Sequence, residues 1–340
     1  MDKIRTPNKA GSQGMNKVLR YGVWLWLASM ASIALATSPA DRDPNSRGRV
    51  DHLSNKGVVG IIAGGIGGTY IRIAADMAAV LDNPNLRVLT IAGQGSVQNI
   101  DDLLYLKGID MAIVQSDVLE YLKRQNTYPN IDKKISYITK LYNEEFHLLA
   151  KADIDNLAGL TGKKVNFDVK GSGTAITAST LFDTLKIGVE PTYYDQATAL
   201  EKLKNGEIGA LAYVAGKPVT LFEKIAAAEN LRLLAVDYSA GLLDTYPPAT
   251  ISHQDYPNLI PANEEIRTVA VSAVLAVYQW NPRRFKRHKK VADFATYFLE
   301  HLNEFQKPPR HPKWREVSLS ATLPGWTRFP AVEQWLQTHR

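Results

Sequence analysis

Gly60-Ile-Ile-Ala-Gly-Gly-Ile-Gly-Gly-Thr-Tyr70 is the most informative stretch of this 340-residue chain. An apolar run from Val58 to Ile62 leads into four glycines within five positions. Residues at helical spacing follow on one face, at Ile73, Ala74, Met77, Ala78 and Leu81. This pattern predicts a strand, a glycine turn and a helix. A helix that begins at such a turn directs unpaired N–H groups and its positive dipole end forward, which suits an anionic small molecule. A tight turn without a ligand is the alternative.

The totals exclude several classes of protein. The length is enough for one large or two medium domains. The absence of cysteine excludes disulfides, thiol nucleophiles, thiolate metal sites and a lipoprotein anchor. The chain has 40 Lys+Arg and 34 Asp+Glu, but residues 1–36 hold five of those basic residues and one acidic residue. The remainder is close to neutral, which does not indicate a nucleic-acid partner.

The first 36 residues have the pattern of a secretory signal peptide. Lys17 and Arg20 precede an uncharged run that ends with Ala34-Leu-Ala36. We therefore expect export to the periplasm, with an uncleaved N-terminal anchor as the alternative. Met1 and Met15 are the alternative translation starts. Residues 37–56 are rich in Pro, Asp, Arg and Ser and predict a disordered lead-in.

Alternating apolar runs and amphipathic segments follow. They predict three strands and intervening helices before residue 116: strands Val58–Ala63, Leu86–Ala92 and Ile109–Val114, and helices Thr69–Leu81 and Ser96–Lys107. Two extended runs, Ile135–Leu141 and Glu145–Ala150, are then joined by a polar tetrad that starts at Tyr142. This alternation indicates a parallel α/β sheet with helices on its faces.

The same alternation restarts after residue 150. It predicts strands at Lys164–Phe167, Thr192–Tyr194, Ile208–Val214 and Leu231–Val236, and helices at Ser172–Leu185, Gln196–Lys204 and Lys217–Ala228. A further helix is expected from Pro282 to about Asn303. We therefore predict an α/β protein of two lobes joined by a hinge. Lobe 1 comprises residues 57–141 and 236–305, lobe 2 comprises residues 142–235, and residues 306–340 form a C-terminal extension.

The turns that follow the predicted strands are rich in small polar residues. Ligand crevices of α/β sheets lie at the carboxyl ends of the strands, so these turns are candidate binding elements. They supply backbone N–H groups, hydroxyls and amides, although each serine among them, taken singly, is better explained as a helix cap. The turns begin at Gly64, Gly93, Gln115, Lys170 and Tyr213.

Enzyme signatures are missing. The third glycine of a dinucleotide-binding motif is replaced by Tyr70, and phosphate-loop, serine-hydrolase and zinc-protease motifs do not occur. The histidines show no metal-ligand spacing, so we predict no metal and no cofactor. Glu144, Glu145 and Asp117 are the candidate bases for an exported enzyme. A solvated turn for the two glutamates and a helix cap for Asp117 are the preferred interpretations.

Four short motifs, taken together in their order and spacing, resemble the solute receptors of TAXI-type TRAP transporters. They are Ala63–Tyr70, the Gly-x-Ser-Val-x-Asn turn at Gly93–Asn99, Val114–Asp117 and Gly171–Thr174. The resemblance covers about residues 57 to 300. It does not extend to the tail after about residue 305, and the basic run 283–290 and Lys217 also depart from the family pattern. We expect the basic run to lie on a solvent-exposed helix face.

The resemblance implies a periplasmic-binding-protein fold of type II and a protein that is not an enzyme. It implies a ligand of the glutamate, dicarboxylate or 2-oxoacid class, captured between the lobes and delivered to the membrane permease subunits of a TRAP transporter. The residues that the resemblance places at the ligand are Gly67, Gly68, Thr69, Tyr70, Gln94, Ser96, Asn99, Gln115, Ser116, Ser172, Gly173, Thr174 and Tyr213. The alternative is a periplasmic sensor that presents its bound state to a membrane signalling partner, with the long tail and basic helix as its contacts.

Overall fold

A computed structural model describes residues 57–280 and 285–339. The predicted signal peptide and lead-in lie outside the described residues. The amino-terminal half begins with the expected alternation of strands and helices. Its elements are β1 (Val58–Ile62), α1 (Thr69–Leu81), β2 (Arg87–Ile91), α2 (Ser96–Tyr105), β3 (Met111–Gln115), α3 (Ser116–Arg124) and the short α4 (Ile131–Lys134). β1 lies between β2 and β3 and is parallel to both.

Two long strands connect the halves of the molecule. β4 (Ile135–Lys151) has 17 residues and β10 (Glu265–Tyr278) has 14. They pair antiparallel along most of their length, with Ser272 opposite Asn143. Through them the sheet continues in the order β2-β1-β3-β10-β4-β7-β5-β6, so one sheet passes from one lobe to the other.

The second half repeats the strand–helix alternation. It contains β5 (Lys164–Asn166), α5 (Gly173–Leu185), β6 (Glu190–Thr192), α6 (Gln196–Lys204), β7 (Ala210–Ala215), α7 (Thr220–Glu223), β8 (Leu231–Leu233), α8 (Ala240–Leu243) and β9 (Pro248–Ser252). β5 is parallel to β6 and β7, and the carboxyl-terminal half of β4 pairs antiparallel with β7. The architecture is therefore the two-lobed α/β arrangement of the type II fold.

The remaining elements complete the first lobe. They are α9 (Phe285–Glu300), α10 (Leu302–Phe305), a 3₁₀ turn at Pro312–Glu316 and α11 (Pro330–Thr338). Trp314, Phe329 and Val332 are buried in the same apolar cluster as β1 and α1. The tail therefore contributes to a core, which explains its aromatic composition. No helix in the described ranges is both long enough and apolar enough to cross a membrane.

The packing differs from the predicted lobe division after residue 236. Leu242 and Tyr246 lie in the apolar cluster of α5 and β7, and Ile251, Tyr256 and Ile260 lie in a second cluster with α6. The chain therefore stays with the second half until β10 carries it back near Ser272.

Three predicted elements differ from the observed ones. The helix predicted from Pro282 to about Asn303 is observed as α9 and α10, and Pro282 itself lies outside the described residues. The helix expected at 217–228 reduces to the one turn of α7, because Pro218 has no N–H and the Val219 N–H bonds to the Tyr256 hydroxyl (2.8 Å). The strand expected at 192–194 lies two residues earlier, at β6. In the basic run, Lys289 is exposed as predicted, whereas Lys290 folds back to Asp110 at 2.6 Å.

The tetrad that was expected to join two extended runs is part of one continuous strand. Glu144 and Glu145 are buried, at 2% and 4% exposure, so the solvated turn predicted for them is wrong. They stay buried because distant residues supply partners: Tyr70 for Glu144 and Lys313 for Glu145. A carboxyl without such a partner would be costly to bury.

Candidate functional site

A narrow cleft lies where the strand exits of both lobes meet. Its walls are the first turns of α1, α2 and α5, the ends of β3 and β7, and Glu144 of β4. The cleft has a volume of about 430 Å³, including the part that is open to solvent. The centre of a water molecule can reach about 60 Å³ of this volume. These dimensions suit a small molecule and little more.

The two lobes touch each other across this cleft. The N–H groups of Val97 and Gln98, at the start of α2, donate to the carbonyl of Gly171 in the opposite lobe (3.1 and 3.2 Å). A Cβ added to Gly173 would lie 1.7 Å from Oε1 of Gln115, and one added to Gly95 would lie 2.9 Å from Cα of Ser172. Because only glycine permits these approaches, the lobes are in a closed arrangement.

The positive ends of two long helices point into the cleft. α1 begins at Thr69 and has no side-chain cap, so its first N–H groups have no side-chain partner. α5 begins at Gly173, and Ser172 caps only the N–H of Ala175 (3.1 Å). The remaining N–H groups at both helix starts are available to an anion.

Five of the hydroxyl groups in the cleft are already bonded to the protein. Thr69 donates to the Gly216 carbonyl (2.7 Å), and Tyr70 donates to Glu144 (2.6 Å). Three other hydroxyls accept a backbone N–H: Ser96 from Gln115, Ser172 from Ala175 and Thr174 from Val214. A hydroxyl that accepts still keeps its own hydrogen to donate.

Two carboxyl groups line the cleft, and no lysine or arginine accompanies them among the described lining residues. Burial raises the pKa of Glu144 well above its usual range, against the lowering effect of the Tyr70 hydrogen bond. Burial therefore favours the protonated form of Glu144. Burial also raises the pKa of Asp168 to about 6, opposed by hydrogen bonds from Val169, Ser172 and Gln196.

The structure brings most of the predicted ligand residues to this one cleft. Those that line it are Gly68, Thr69, Tyr70, Gln94, Ser96, Gln115, Ser172, Gly173, Thr174 and Tyr213. Gln115 is the most suggestive of them, because its Oε1 is buried and has no hydrogen-bond partner in the described part of the chain. A buried amide oxygen without a partner is costly unless a ligand supplies a donor.

Three predicted ligand residues do not line the cleft. Gly67 has φ +93° and shapes the turn before α1. The Asn99 amide donates to the carbonyls of Ala63 and Ile113, both at 2.8 Å, and so fixes the ends of β1 and β3. The Ser116 hydroxyl accepts the N–H of Ser272 on the neighbouring strand β10 (3.3 Å). All three shape the site from behind rather than facing into it.

The sequence-based prediction omitted several lining residues: Gly64, Gly65, Gly95, Glu144, Asp168, Val214 and Ala215. Asp168 carried a usable signal, because it follows the strand β5 and precedes the glycine turn at 171–173. No local sequence pattern places Glu144 at the cleft, since its position depends on strand pairing across the two lobes.

Asp117 is an inter-lobe contact rather than an N-cap, so the cap predicted for it is wrong. The N-cap of α3 is Gln115, and Asp117 lies in the first helical turn. Its carboxylate accepts hydrogen bonds from Thr177 (2.7 Å) and Tyr246 (3.2 Å), both in the second lobe. Burial raises its pKa to about 6.

A protein-family model described as the NMT1-like family matches residues 61–285 of the chain. Among solved structures, a substrate-binding protein of an amino acid ABC transporter from Streptococcus pneumoniae, bound to L-arginine, is 14% identical with a TM-score of 0.40, covering 74% of this chain and 92% of its own. The CcmR regulatory domain of Synechocystis, in complex with 2-PG, is 13% identical with a TM-score of 0.43, covering 75% of this chain and 99% of its own. The periplasmic binding protein BugD is 12% identical with a TM-score of 0.48, covering 83% and 93%.

Proposed function

The chain belongs to the NMT1-like family, and we propose that it is an exported solute receptor that holds a small organic anion between its two lobes. The observation that carries the proposal is the convergence of the α1 and α5 helix starts, one from each lobe, on a single narrow cleft. Closure removes water from the anion and strengthens its hydrogen bonds to the fixed N–H groups. The protein performs no reaction on the ligand.

We assign the ligand contacts to the lining residues of that cleft. The N–H groups at Thr69, Tyr70, Gly173 and Thr174 receive the ligand carboxylate. The hydroxyl of Tyr213 faces the same space, 3.0 Å from where a Cβ on Gly68 would lie. An isolated carboxylate is thereby held without a lysine or arginine, in the way that helix starts commonly bind anions.

The carboxyl groups of the cleft favour one part of the predicted ligand class. A second negative charge would face Asp168, which is largely ionised at pH 7 because its pKa is about 6. A ligand with an ammonium group, as in glutamate, instead donates to Asp168 and to Oε1 of Gln115. Among glutamate, dicarboxylates and 2-oxoacids, the amino-bearing members therefore fit best.

The partner that we propose is the permease of a TRAP-type transporter, which would receive the ligand when the lobes open. Its test is uptake in membrane vesicles that contain the candidate permease subunits, with and without the purified receptor. The sensor alternative uses the long tail and the basic helix as its contacts with the signalling partner. Trp314, Phe329 and Val332 instead pack in the first lobe's core, which removes that support.

Mass spectrometry of small molecules released from the purified, denatured protein tests the binding function. We expect one predominant compound of low mass with at least one carboxylate, followed by calorimetric confirmation that it rebinds. Recovery of no compound, together with no heat of binding for any member of the predicted ligand class, would contradict the proposal.

A further inference from the structure

The C-terminal segment His311–Glu316 crosses from the first lobe to the junction between the lobes. Trp314 anchors it: its ring is fully buried, stacks on Phe305 at 4.4 Å and donates from Nε1 to Asp76 (2.8 Å). The His311 N–H donates to the same carboxylate (2.9 Å). The segment is therefore fixed to α1 and moves with the first lobe.

Lys313 extends from this anchored segment to the crossing strand β4. Its Nζ lies 2.6 Å from Oε1 of Glu145 and 2.7 Å from Oε1 of Glu316. The side chains of Lys313 and Glu145 are 2% and 5% exposed, whereas that of Glu316 is 42% exposed. The Lys313–Glu145 pair is thus a buried ion pair at the junction, and Glu316 is a peripheral partner.

Glu145 continues the connection into the second lobe. Its Oε2 accepts the N–H of Lys217 (3.1 Å), in the loop that follows β7. The preceding residue, Gly216, accepts the Thr69 hydroxyl of the first lobe (2.7 Å). A Cβ on Gly216 would lie 3.1 Å from Cγ of Lys313, so the lysine stem packs directly against this loop.

These contacts join the tail, the crossing strand and the loop that borders the ligand cleft. The ion pair depends on a dry, hydrogen-bonded environment, because a buried charge that loses a partner is strongly destabilised. Separating the lobes at this loop would part the Thr69 hydroxyl from the Gly216 carbonyl and would admit water to the ion pair. The closed arrangement is therefore the one in which the buried charges are best satisfied.

We propose that the segment His311–Glu316 is a strap that biases the lobes toward closure, with Lys313 as the positioning residue. The inference rests on the proposed function, because it assumes that closure over a ligand is what the lobes do. The strap fixes the Gly216–Lys217 loop, at which the strand β7 ends. It thereby also fixes Tyr213 of β7, which lines the cleft.

The absence of cysteine in the chain allows a clean distance measurement. Lys107 in the first lobe and Asp183 in the second are both exposed, so Lys107→Cys with Asp183→Cys gives one spin-labelled pair. Pulsed electron paramagnetic resonance on the full-length protein, without added ligand, then reports the share of molecules with closed lobes. Thermal unfolding of each variant is recorded in parallel, so that a change in distances is separated from a loss of folding.

We expect a closed population in the parent protein and at least a twofold smaller one in Lys313→Met. Glu316→Gln is the matched control: it removes the negative charge of the exposed partner of the same lysine, keeps an oxygen that can accept the Asn143 N–H (3.1 Å in the parent), and should leave the distribution unchanged. Gly216→Ala is a second variant, whose added Cβ would crowd the Lys313 side chain without changing any charge. It should shift the distribution in the same direction as Lys313→Met.

Three results would overturn the strap: no closed population in the parent protein, the parent distribution in Lys313→Met, or an equal shift in Glu316→Gln. If Lys313→Met does not fold, Gly216→Ala decides, and an unchanged distribution in it refutes the proposal. The proposed binding function is judged separately, by the compounds released on denaturation. A receptor that binds its ligand but shows no effect of Lys313 would retain that function and lose the strap.

Discussion

Gly173→Ala is the substitution that most directly tests whether the closed cleft is the ligand-bound form. The new Cβ would lie 1.7 Å from Oε1 and 2.4 Å from Cδ of Gln115, and 2.8 Å from Oγ of Ser96. Both residues belong to the opposite lobe. The overlap therefore exists only when the lobes are closed, and it disappears when they separate.

The magnitude follows from that overlap. Ordinary contacts begin at about 3.4 Å, so either the buried Gln115 side chain leaves its position or the lobes stop short of closure. Overpacking of this kind costs about 1–3 kcal/mol. If the whole cost falls on the closed form, the ligand dissociation constant rises roughly 5- to 150-fold. Alanine at the first helical position does not strain the separate lobes, so the unfolding temperature without ligand should be unchanged.

Isothermal titration calorimetry with the compound recovered from the purified protein provides the assay. Gly188→Ala is the matched control, because its added Cβ meets no atom within 4 Å and the position does not have positive φ. We expect parent-like affinity for Gly188→Ala and the stated loss for Gly173→Ala. Parent-like affinity in Gly173→Ala would show that the ligand-bound protein does not bring Gly173 against Gln115, and the closed-cleft reasoning would fail.

Three further predictions concern charge and packing. Asp168→Asn should weaken the binding of L-glutamate about tenfold or more at pH 7.5, since a hydrogen bond to a charged group is worth about 1.5–3 kcal/mol. The binding of glutarate, which has no ammonium group, should be unchanged. Calorimetric titration of both compounds checks this, with Asp183→Asn as the control. Because burial raises the pKa of Asp117 from 3.8 to about 6, its contribution to stability is complete below pH 4 and is lost as the pH rises through 6. Asp117→Asn should remove this pH-dependent loss of unfolding free energy, which is at most about 3 kcal/mol. Urea unfolding of parent and variant at pH 4 and pH 7.5 measures it, and an equal pH dependence in the two proteins would contradict the prediction. Trp314→Ala should lower the free energy of unfolding by about 3–5 kcal/mol, and a loss below about 1 kcal/mol would show that the tail is not part of the core.

Local patterns were sufficient to predict the first half of the fold. The glycines between Ala63 and Tyr70 and the helical spacing after them specify β1, the turn and α1 without reference to other parts of the chain. The alternation of β2, α2 and β3 followed in the same way. The turns that line the cleft were predictable for the same reason, because the carboxyl ends of parallel strands meet at one edge of a sheet.

The features that depend on distant partners could not be predicted. The local sequence predicted a polar turn at Glu144 and Glu145 because their partners are distant in sequence. Tyr70 is 74 positions from Glu144, and Lys313 is 168 positions from Glu145. The tail shows a similar dependence. Trp314 has no neighbour in sequence that reveals its core position, which arises from α1 and α10 packing around it. Periodicity reports what a segment buries, but not what it is buried against.

The crossing strands also locate where the lobes can move relative to each other. A continuous antiparallel pair resists bending, because bending must disturb its ladder of hydrogen bonds. The register between β4 and β10 is interrupted between Ser272 and Val274, next to the pairing of Ser272 with Asn143. A bulge at that point lets a strand bend without loss of the flanking pairs. Lys313 joins the crossing strand only two residues away, at Glu145. Of the two register shifts in this pair, the one beside Ser272 is thus close to the point where the tail adds a buried ion pair, so the tail and the bulge act on the same motion in opposite directions.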